Sequence, residues 1–424
     1  MAAVDTDVTT SGTTLNKVWR KEQGNLLQGF RSKTPEYALV KSITNYKLSV
    51  SAREITAPIN INRQGGTAMI AEGGYEAQAG TRSVEEVTLT WVNANQRFTV
   101  TLTTKQLDHR NRGAQIIRQM KYQTLKAVEG MSRRVGETFY GFSTGVVCLT
   151  STNATQASGT YTLIDAYGQT QLDTAAYLAG FFAVGDRVVL VRAGALVANA
   201  FGTITAVDES AGTIAVTWAA SVDSDANDQI VFANNIENTT LDAGTDWNKW
   251  PIGLMDATKS TSVHGLSGST VPGWTAGYTD TAGGRFTGVK LRKARYGIAN
   301  KGGGKADRLV WSQGVETDVY DNMVAARQFN DAADFTMEGV TKTKEKQFTS
   351  PKVPPGHVFM WDSSAFQKFV LEDLPSDESA EVPMWEDGDK IQGRNAWAFA
   401  MNIGYAFVVT NRGNMAIFSS VTEQ

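Results

Sequence analysis

Apolar residues recur at three- to five-residue steps from Ile117 through Met120, Leu125, Val128, Met131, Val135 and Phe139 to Phe142, which predicts one long amphipathic helix over 104–142. If continuous, it is about 57 Å long at ~1.5 Å per residue. Gly113, Gly130 and Gly136 each cost about 1 kcal/mol relative to alanine. Tertiary packing therefore has to hold this helix, and a bend is expected at one glycine. Just upstream the period changes to two. Val87, Leu89 and Trp91 face one way, and Phe98, Val100 and Leu102 answer across Asn93–Gln96, which predicts a β-hairpin.

Residues 1–13 lack apolar periodicity and read as a tail. Leu15, Val18, Trp19, Leu26, Leu27 and Phe30 then follow possible caps at Thr13 and Thr14 and predict a short amphipathic arm. Extended chain is expected over 43–61, where Tyr46, Leu48 and Val50 alternate and Pro58 marks an edge. The run 63–82 is too rich in glycine to build a core. From 145 to 238 the pattern becomes short β-branched runs, at 184–191, 202–207, 213–218 and 229–232, which suit a small barrel or sandwich.

Beyond Trp250 the signal is mixed. A helix is predicted at 286–298, a loop at 301–307, a buried strand at 309–311, and a helix at 315–329 with Val315, Val319, Tyr320, Met323 and Val324 inward. Trp397, Phe399, Met401, Ile403, Tyr405 and Phe407 alternate over a long strand, and Asn411–Asn414 turns it into Met415–Phe418 as a closing hairpin.

Composition adds bounds. At 424 residues the chain has room for two or three domains, and 42% hydrophobic with 20% charged residues argues against disorder. The single cysteine, Cys148, excludes an intramolecular disulfide framework and reads as an apolar filler. There is no signal-like N-terminus and no run of ~20 apolar residues, so a soluble cytoplasmic product without membrane contact is expected. Net charge is −3, yet residues 150–246 carry eleven acidic residues against Arg187 and Arg192, a local balance of −9. The helix over 104–142 balances at +5. A lysine-free acidic block reads as an inserted module.

Candidate chemistry is thin. Lys301-Gly-Gly-Gly-Lys305 is followed by Ala306 and a strand, not by Ser/Thr and a helix, so it is no phosphate loop. Asp223-Ser-Asp225-Ala-Asn227-Asp228 echoes a calcium loop but lacks its glycine and its final glutamate. His109, His264 and His357 lack metal-ligand spacing. No catalytic residue, cofactor site or metal site is assigned. Trp218, Trp247, Trp250 and Trp274 leave open a sugar-binding platform, with core packing the plainer reading. The basic helix face lacks aromatic interleaving, so only nonspecific contact with nucleic acid phosphates is in view.

The order arm, glycine-bearing loop, long helix and mixed domain resembles the major capsid protein of tailed bacteriophages, the Hong Kong 97 fold. Glu72-Gly-Gly-Tyr-Glu76 onward to Leu107 is similar to that family's acidic-glycine loop and helix start, and Ala306–Ser312 resembles its central strand. The resemblance covers about three quarters of the chain and leaves out 145–240. It implies an α+β chain with an N-terminal arm (1–44), an extended loop and hairpin (45–103), a spine helix of a peripheral domain (104–144), an inserted acidic β domain (145–240) and an axial domain with the remaining peripheral strands (241–424). It further implies a non-enzymatic subunit that assembles into pentamers and hexamers of an icosahedral shell around double-stranded DNA, in a virion assembled in the host cytoplasm. Partners would be further copies, portal and scaffolding proteins, a decoration protein and packaged DNA. Trp19, Arg63, Glu72, Glu76 and Arg82 would make contacts between subunits. An encapsulin-like nanocompartment shell shares the fold and is the alternative. No lysine lies between Leu48 and Lys105, which excludes covalent cross-linking through a loop lysine. Only a short tail precedes Leu15, so a separate scaffolding protein, or none, is expected.

Overall fold

The computed structural model of the chain describes residues 36, 39–49, 54–61, 84–90, 92–101, 112–151, 154–165, 178–233, 250–271, 273–327, 346–372, 389–390 and 396–423. Two compact units interleave along the sequence. One takes Met1–Ile43, Thr90–Phe139 and Lys368–Ala406, and the other takes Thr44–Leu89, Tyr140–Gln367 and Phe407–Gln424.

Strands β1 (Lys41–Ser42), β2 (Lys47–Leu48), β3 (Glu54–Asn60), β4 (Val84–Thr90) and β5 (Val92–Thr101) precede helix α1 (Arg112–Tyr140). The hairpin expected around Asn93–Gln96 does not form. Strand β5 runs straight through those residues, and β4 belongs to a three-stranded sheet ordered β2-β3-β4. Asn-Ala-Asn-Gln has no glycine to enter a tight primed turn, and a longer ladder is on offer elsewhere. Strand β5 pairs antiparallel with Ala396–Tyr405, bringing Asn93 opposite Gly404 and Thr101 opposite Ala396.

Helix α1 spans 29 residues, roughly 42 Å, and continues through Gly130 and Gly136 without a break. Val128, Met131, Val135 and Phe139 are buried as expected, together with Ala127. Leu125 is not: it is 58% exposed, beside Tyr122 at 59%. At about 100° per residue, Thr124 takes the inward slot and Leu125 falls off the stripe. Thr138 Oγ1 and Tyr405 Oη close the inner face with a 3.0 Å hydrogen bond.

Residues 146–232 close into a six-stranded barrel. Strands β6 (Val146–Thr150), β7 (Ala154–Ile164), β8 (Arg187–Arg192), β9 (Ala195–Asp208), β10 (Thr213–Ser224) and β11 (Gln229–Phe232) are ordered β10-β7-β6-β11-β8-β9. Its core gathers Cys148, Tyr161, Val188, Leu190, Ile204, Ile214, Val216, Trp218 and Ile230. Trp218 Nε1 donates to Tyr161 Oη at 2.8 Å, which satisfies both polar tips inside the barrel. Gly202 lies against the Trp218 ring, and a Cβ there would overlap it.

The remaining elements are α2 (Leu254–Lys259), β12 (Ser262–Val263), β13 (Leu266–Ser267), β14 (Tyr278–Asp280), α3 (Gly288–Lys301), β15 (Arg308–Trp311), α4 (Gln313–Arg327), β16 (Lys346–Thr349), β17 (Val358–Trp361), β18 (Phe366–Glu372), β19 (Asp389–Lys390), β20 (Ala396–Val409) and β21 (Met415–Phe418). Strands β14, β21, β17, β15 and β16 form one sheet in that order. Thr287 caps α3, its hydroxyl accepting from Lys290 N at 3.4 Å. The closing hairpin is also corrected. Strand β20 lies in the sheet ordered β1-β18-β20-β19, whereas β21 pairs with β17 and β14. The turn Arg412–Asn414 therefore passes the chain from one sheet to another. Tyr320, expected inward on α4, is 64% exposed because Val315 and Val319 fill the inner positions.

Candidate subunit-contact surfaces

The five residues assigned to subunit contacts, Trp19, Arg63, Glu72, Glu76 and Arg82, all lie outside the described residues. What the structure places is strands β3 and β4, between which four of them lie in the sequence. In β3, Ile55, Ala57 and Ile59 are buried on alternate positions, the period-two signature of a strand with one covered face. Thr56 and Thr88 hydroxyls meet at 3.4 Å between β3 and β4. Lys47 and Glu86 pair at 3.2 Å with both side chains more than half exposed, an interaction worth only about 0–1 kcal/mol.

Other exposed apolar side chains sit on helices: Tyr122 and Leu125 on α1, Val289 and Tyr296 on α3, and Tyr320 on α4. The sequence reading passed over those on α3. Counting seven residues from Val289 to Tyr296 along one helix line would have found them.

The sites set aside on sequence grounds have structural occupations. Lys301 Nζ donates to Ala276 O at 3.0 Å and to Thr275 Oγ1. Burial and nearby Arg412 hold its pKa below the ordinary lysine value. The glycines after it admit Asn414, whose Oδ1 accepts from Gly304 N at 2.9 Å. A Cβ on Gly302 would overlap Asn414 Oδ1 and stand 2.6 Å from Asn414 N. Gly302→Ala is accordingly expected to lower stability by about 1–3 kcal/mol, read as a lower urea midpoint.

In the aspartate loop the cation position is taken by Arg192. Its Nε and Nη2 donate to the Asp228 carboxylate at 2.8 and 2.9 Å, and Nη1 lies 2.8 Å from Asp225 Oδ2. A guanidinium fork satisfies this carboxylate pair from within the chain. Among the described residues, no group of three His, Cys, Asp or Glu side chains is placed to hold a metal ion. Cys148 is buried, and burial pushes its thiol well above the ordinary pKa. This suits an apolar filler. Trp218 and Trp274 are 5% and 0% exposed, so neither presents a ring face to a sugar. Trp247 and His109 lie outside the described residues. Among the described residues no helix is long and apolar enough to cross a membrane.

No family model and no curated protein matches the chain. Among solved structures it is similar to a chain of the Cyanophage A-1(L) capsid asymmetric unit, at 14% identity and a TM-score of 0.47, over 92% of this chain and 93% of that one. It is also similar to a chain from the capsid of a native GTA particle, at 9% identity and a TM-score of 0.39, over 92% and 91%. An encapsulin complex from Synechococcus elongatus matches over 34% of this chain and 52% of its own, at 12% identity and a TM-score of 0.25.

Proposed function

We propose that this chain is a major capsid protein. Copies assemble into pentamers and hexamers of an icosahedral shell, which encloses the double-stranded DNA of a tailed phage within the virion. The observation that carries this reading is the order of elements: strands of a three-stranded sheet on either side of the glycine-bearing segment in sequence, a 29-residue helix, a closed acidic barrel and a mixed α/β sheet. Its chemistry is assembly, not catalysis. Each copy contributes an arm and a loop to its neighbours, and many modest contacts sum through multivalency. Closed point-group symmetry limits how the same surfaces repeat. The acidic barrel is the part most suited to the outer surface, where a decoration protein would dock. Portal and scaffolding proteins are the other expected partners, and assembly takes place in the host cytoplasm.

Electron microscopy of the recombinant chain, with mass photometry on the same sample, tests this. Rings of five and six, tubes or closed shells are expected. A monomer at every concentration, with or without a scaffolding protein from the same gene cluster, would overturn the reading. Shells holding a co-purified protein in place of DNA would favour a nanocompartment. Deleting residues 1–30 is expected to weaken shells while the subunit melts as before, since Trp19 and its neighbours contribute about 1.5–3 kcal/mol per buried large side chain between copies. Unchanged shell yield and heat resistance would refute that role for the arm.

A further inference from the structure

The sheet that carries α3 and α4 has a chain path that fixes where those helices lie. Strand β14 runs parallel to β21, β21 antiparallel to β17, β17 antiparallel to β15, and β15 parallel to β16. Strands β14, β15 and β16 therefore all point the same way. The two connections, through α3 and then α4, step in the same direction across the sheet. Right-handed crossovers place both helices on one face. The core agrees: Leu291, Ala294 and Ile298 of α3 share a single cluster with Val315 and Val319 of α4. Helix α3 packs on β14 and β21, toward one edge of the sheet, while α4 links β15 to the opposite edge strand β16.

The outward faces of these helices have opposite sign. Helix α3 has no acidic residue and exposes Arg292 and Lys293, while Lys290 is paired with Asp280 and Lys301 is tied to Ala276 O. Val289 and Tyr296, 61% and 72% exposed, lie seven residues apart on its outer line, with exposed Arg292 and Lys293 between them. Helix α4 exposes Glu316, Tyr320 and Asp321, and its basic residue waits until Arg327. Each face thus pairs exposed apolar side chains with one sign of charge.

We infer that the outer face of α3 in one copy docks against the outer face of α4 in the next, a head-to-tail contact that repeats around a ring. This rests on the capsid reading and names a surface for it. Opposite charge steers the two faces together, while α3 against α3, or α4 against α4, sets like charges in contact at a cost. Used head to tail, with α3 of each copy on α4 of the next, the contact is heterologous and closes into a ring when the rotation per copy allows, whereas a reciprocal pairing of both helices would stop at a two-fold dimer. Tyr296 and Tyr320 supply the apolar centre, and Arg292 and Lys293 meet Glu316 and Asp321 at the rim. The basic stripe of α3 also suits nucleic acid phosphates. The acidic partner face on the same layer favours a second copy.

Cys148 is the only cysteine in the sequence and is buried, so introduced thiols report cleanly. In the full chain, Tyr296→Cys combined with Tyr320→Cys is expected to give a ladder of disulfide-linked multimers on oxidation, and either substitution alone none. Reversing one face (Arg292→Glu with Lys293→Glu, or Glu316→Lys with Asp321→Lys) is expected to raise the concentration for half-assembly about tenfold or more. Joining both reversals is expected to restore it. All four side chains are exposed, and a cooperative melt checks folding of each variant. Dimers from Tyr296→Cys alone would overturn the inference by showing a self-complementary contact. So would rings or shells visible by microscopy with no ladder, or unchanged assembly after reversal. Loss of retained DNA with intact rings would assign α3 to nucleic acid instead. If the unaltered chain forms no ring, tube or shell, the capsid reading fails first and this contact with it.

Discussion

Replacing Arg412 by methionine is expected to destabilise the unit that contains it by about 3–5 kcal/mol. Arg412 is 3% exposed, and its guanidinium satisfies main-chain carbonyls. Nε donates to Ala257 O at 2.8 Å, Nη1 to Trp274 O at 3.1 Å, and Nη2 to Ser260 O and, at 3.5 Å, to Thr258 O. Ala257 and Thr258 lie in the last turn of α2 and Ser260 is its C-cap, where carbonyls lack partners within the helix and the dipole is negative. A cation is thus placed where three unpaired acceptors converge. Methionine fills much of the volume but leaves those acceptors buried and unsatisfied, at about 1–3 kcal/mol each where no water reaches them. Lysine keeps the charge but has no planar fork, so Arg412→Lys should fall between methionine and the native chain. Urea unfolding followed by tryptophan fluorescence reads this directly, since Trp274 is fully buried and its Nε1 donates to Val263 O at 3.1 Å. An unchanged midpoint for Arg412→Met would refute the capping role.

Arg412 was invisible in the sequence, and the reason is general. Within Asn411-Arg-Gly-Asn414 it reads as an ordinary turn residue, because its partners lie more than a hundred residues earlier. Local periodicity, by contrast, was legible. The β-branched runs at 184–191, 202–207, 213–218 and 229–232 are strands β8 to β11, and the helices at α1, α3 and α4 lie where apolar spacing put them. Strand β7 was missed because Ala154–Ile164 is mostly Ser, Thr, Gly and Ala. Only Tyr161 and Leu163 there are part of the barrel core. Both predicted hairpins failed for one physical cause: a strand's partner is chosen by the sheet it completes, not by its nearest neighbour in sequence. Strand β5 found β20, and β21 found β17. Leu125 and Tyr320 were misplaced because each stands one position off the inward line, a shift of about 100° on a helix. The assignment of Trp19, Arg63, Glu72, Glu76 and Arg82 to subunit contacts rests on sequence alone.

Lowering the pH from 7 to 4 is expected to remove about 3 kcal/mol of stability for each of two buried histidines. His264 is held down to a pKa of about 4, first by burial and then by the nearby Arg412 cation. His357 is also held at about 4, chiefly by burial, with Lys259 adding to it and the Pro355 carbonyl opposing. Both rings are therefore neutral in the folded chain, whereas in the unfolded chain they protonate near 6.5. Their contribution is complete above pH 6.5 and is lost as pH falls from there toward 4, and alkaline pH leaves it untouched. At His264 the geometry says why. Nε2 accepts a 2.9 Å hydrogen bond from Val409 N, and a proton on that nitrogen would set two donors face to face. His357 stacks on Phe359 with ring centroids 6.2 Å apart, an apolar setting that offers an imidazolium little solvation. Ordinary carboxylates titrate near 4 and below, so a fall in the urea midpoint between pH 6.5 and 5 belongs to the histidines. His264→Asn keeps an acceptor for Val409 N without a titrating ring, and it should remove about half of that fall. A midpoint that stays flat from pH 7 to 5 would mean that the rings gain water or a counter-charge on protonation, and the burial argument for both would fail.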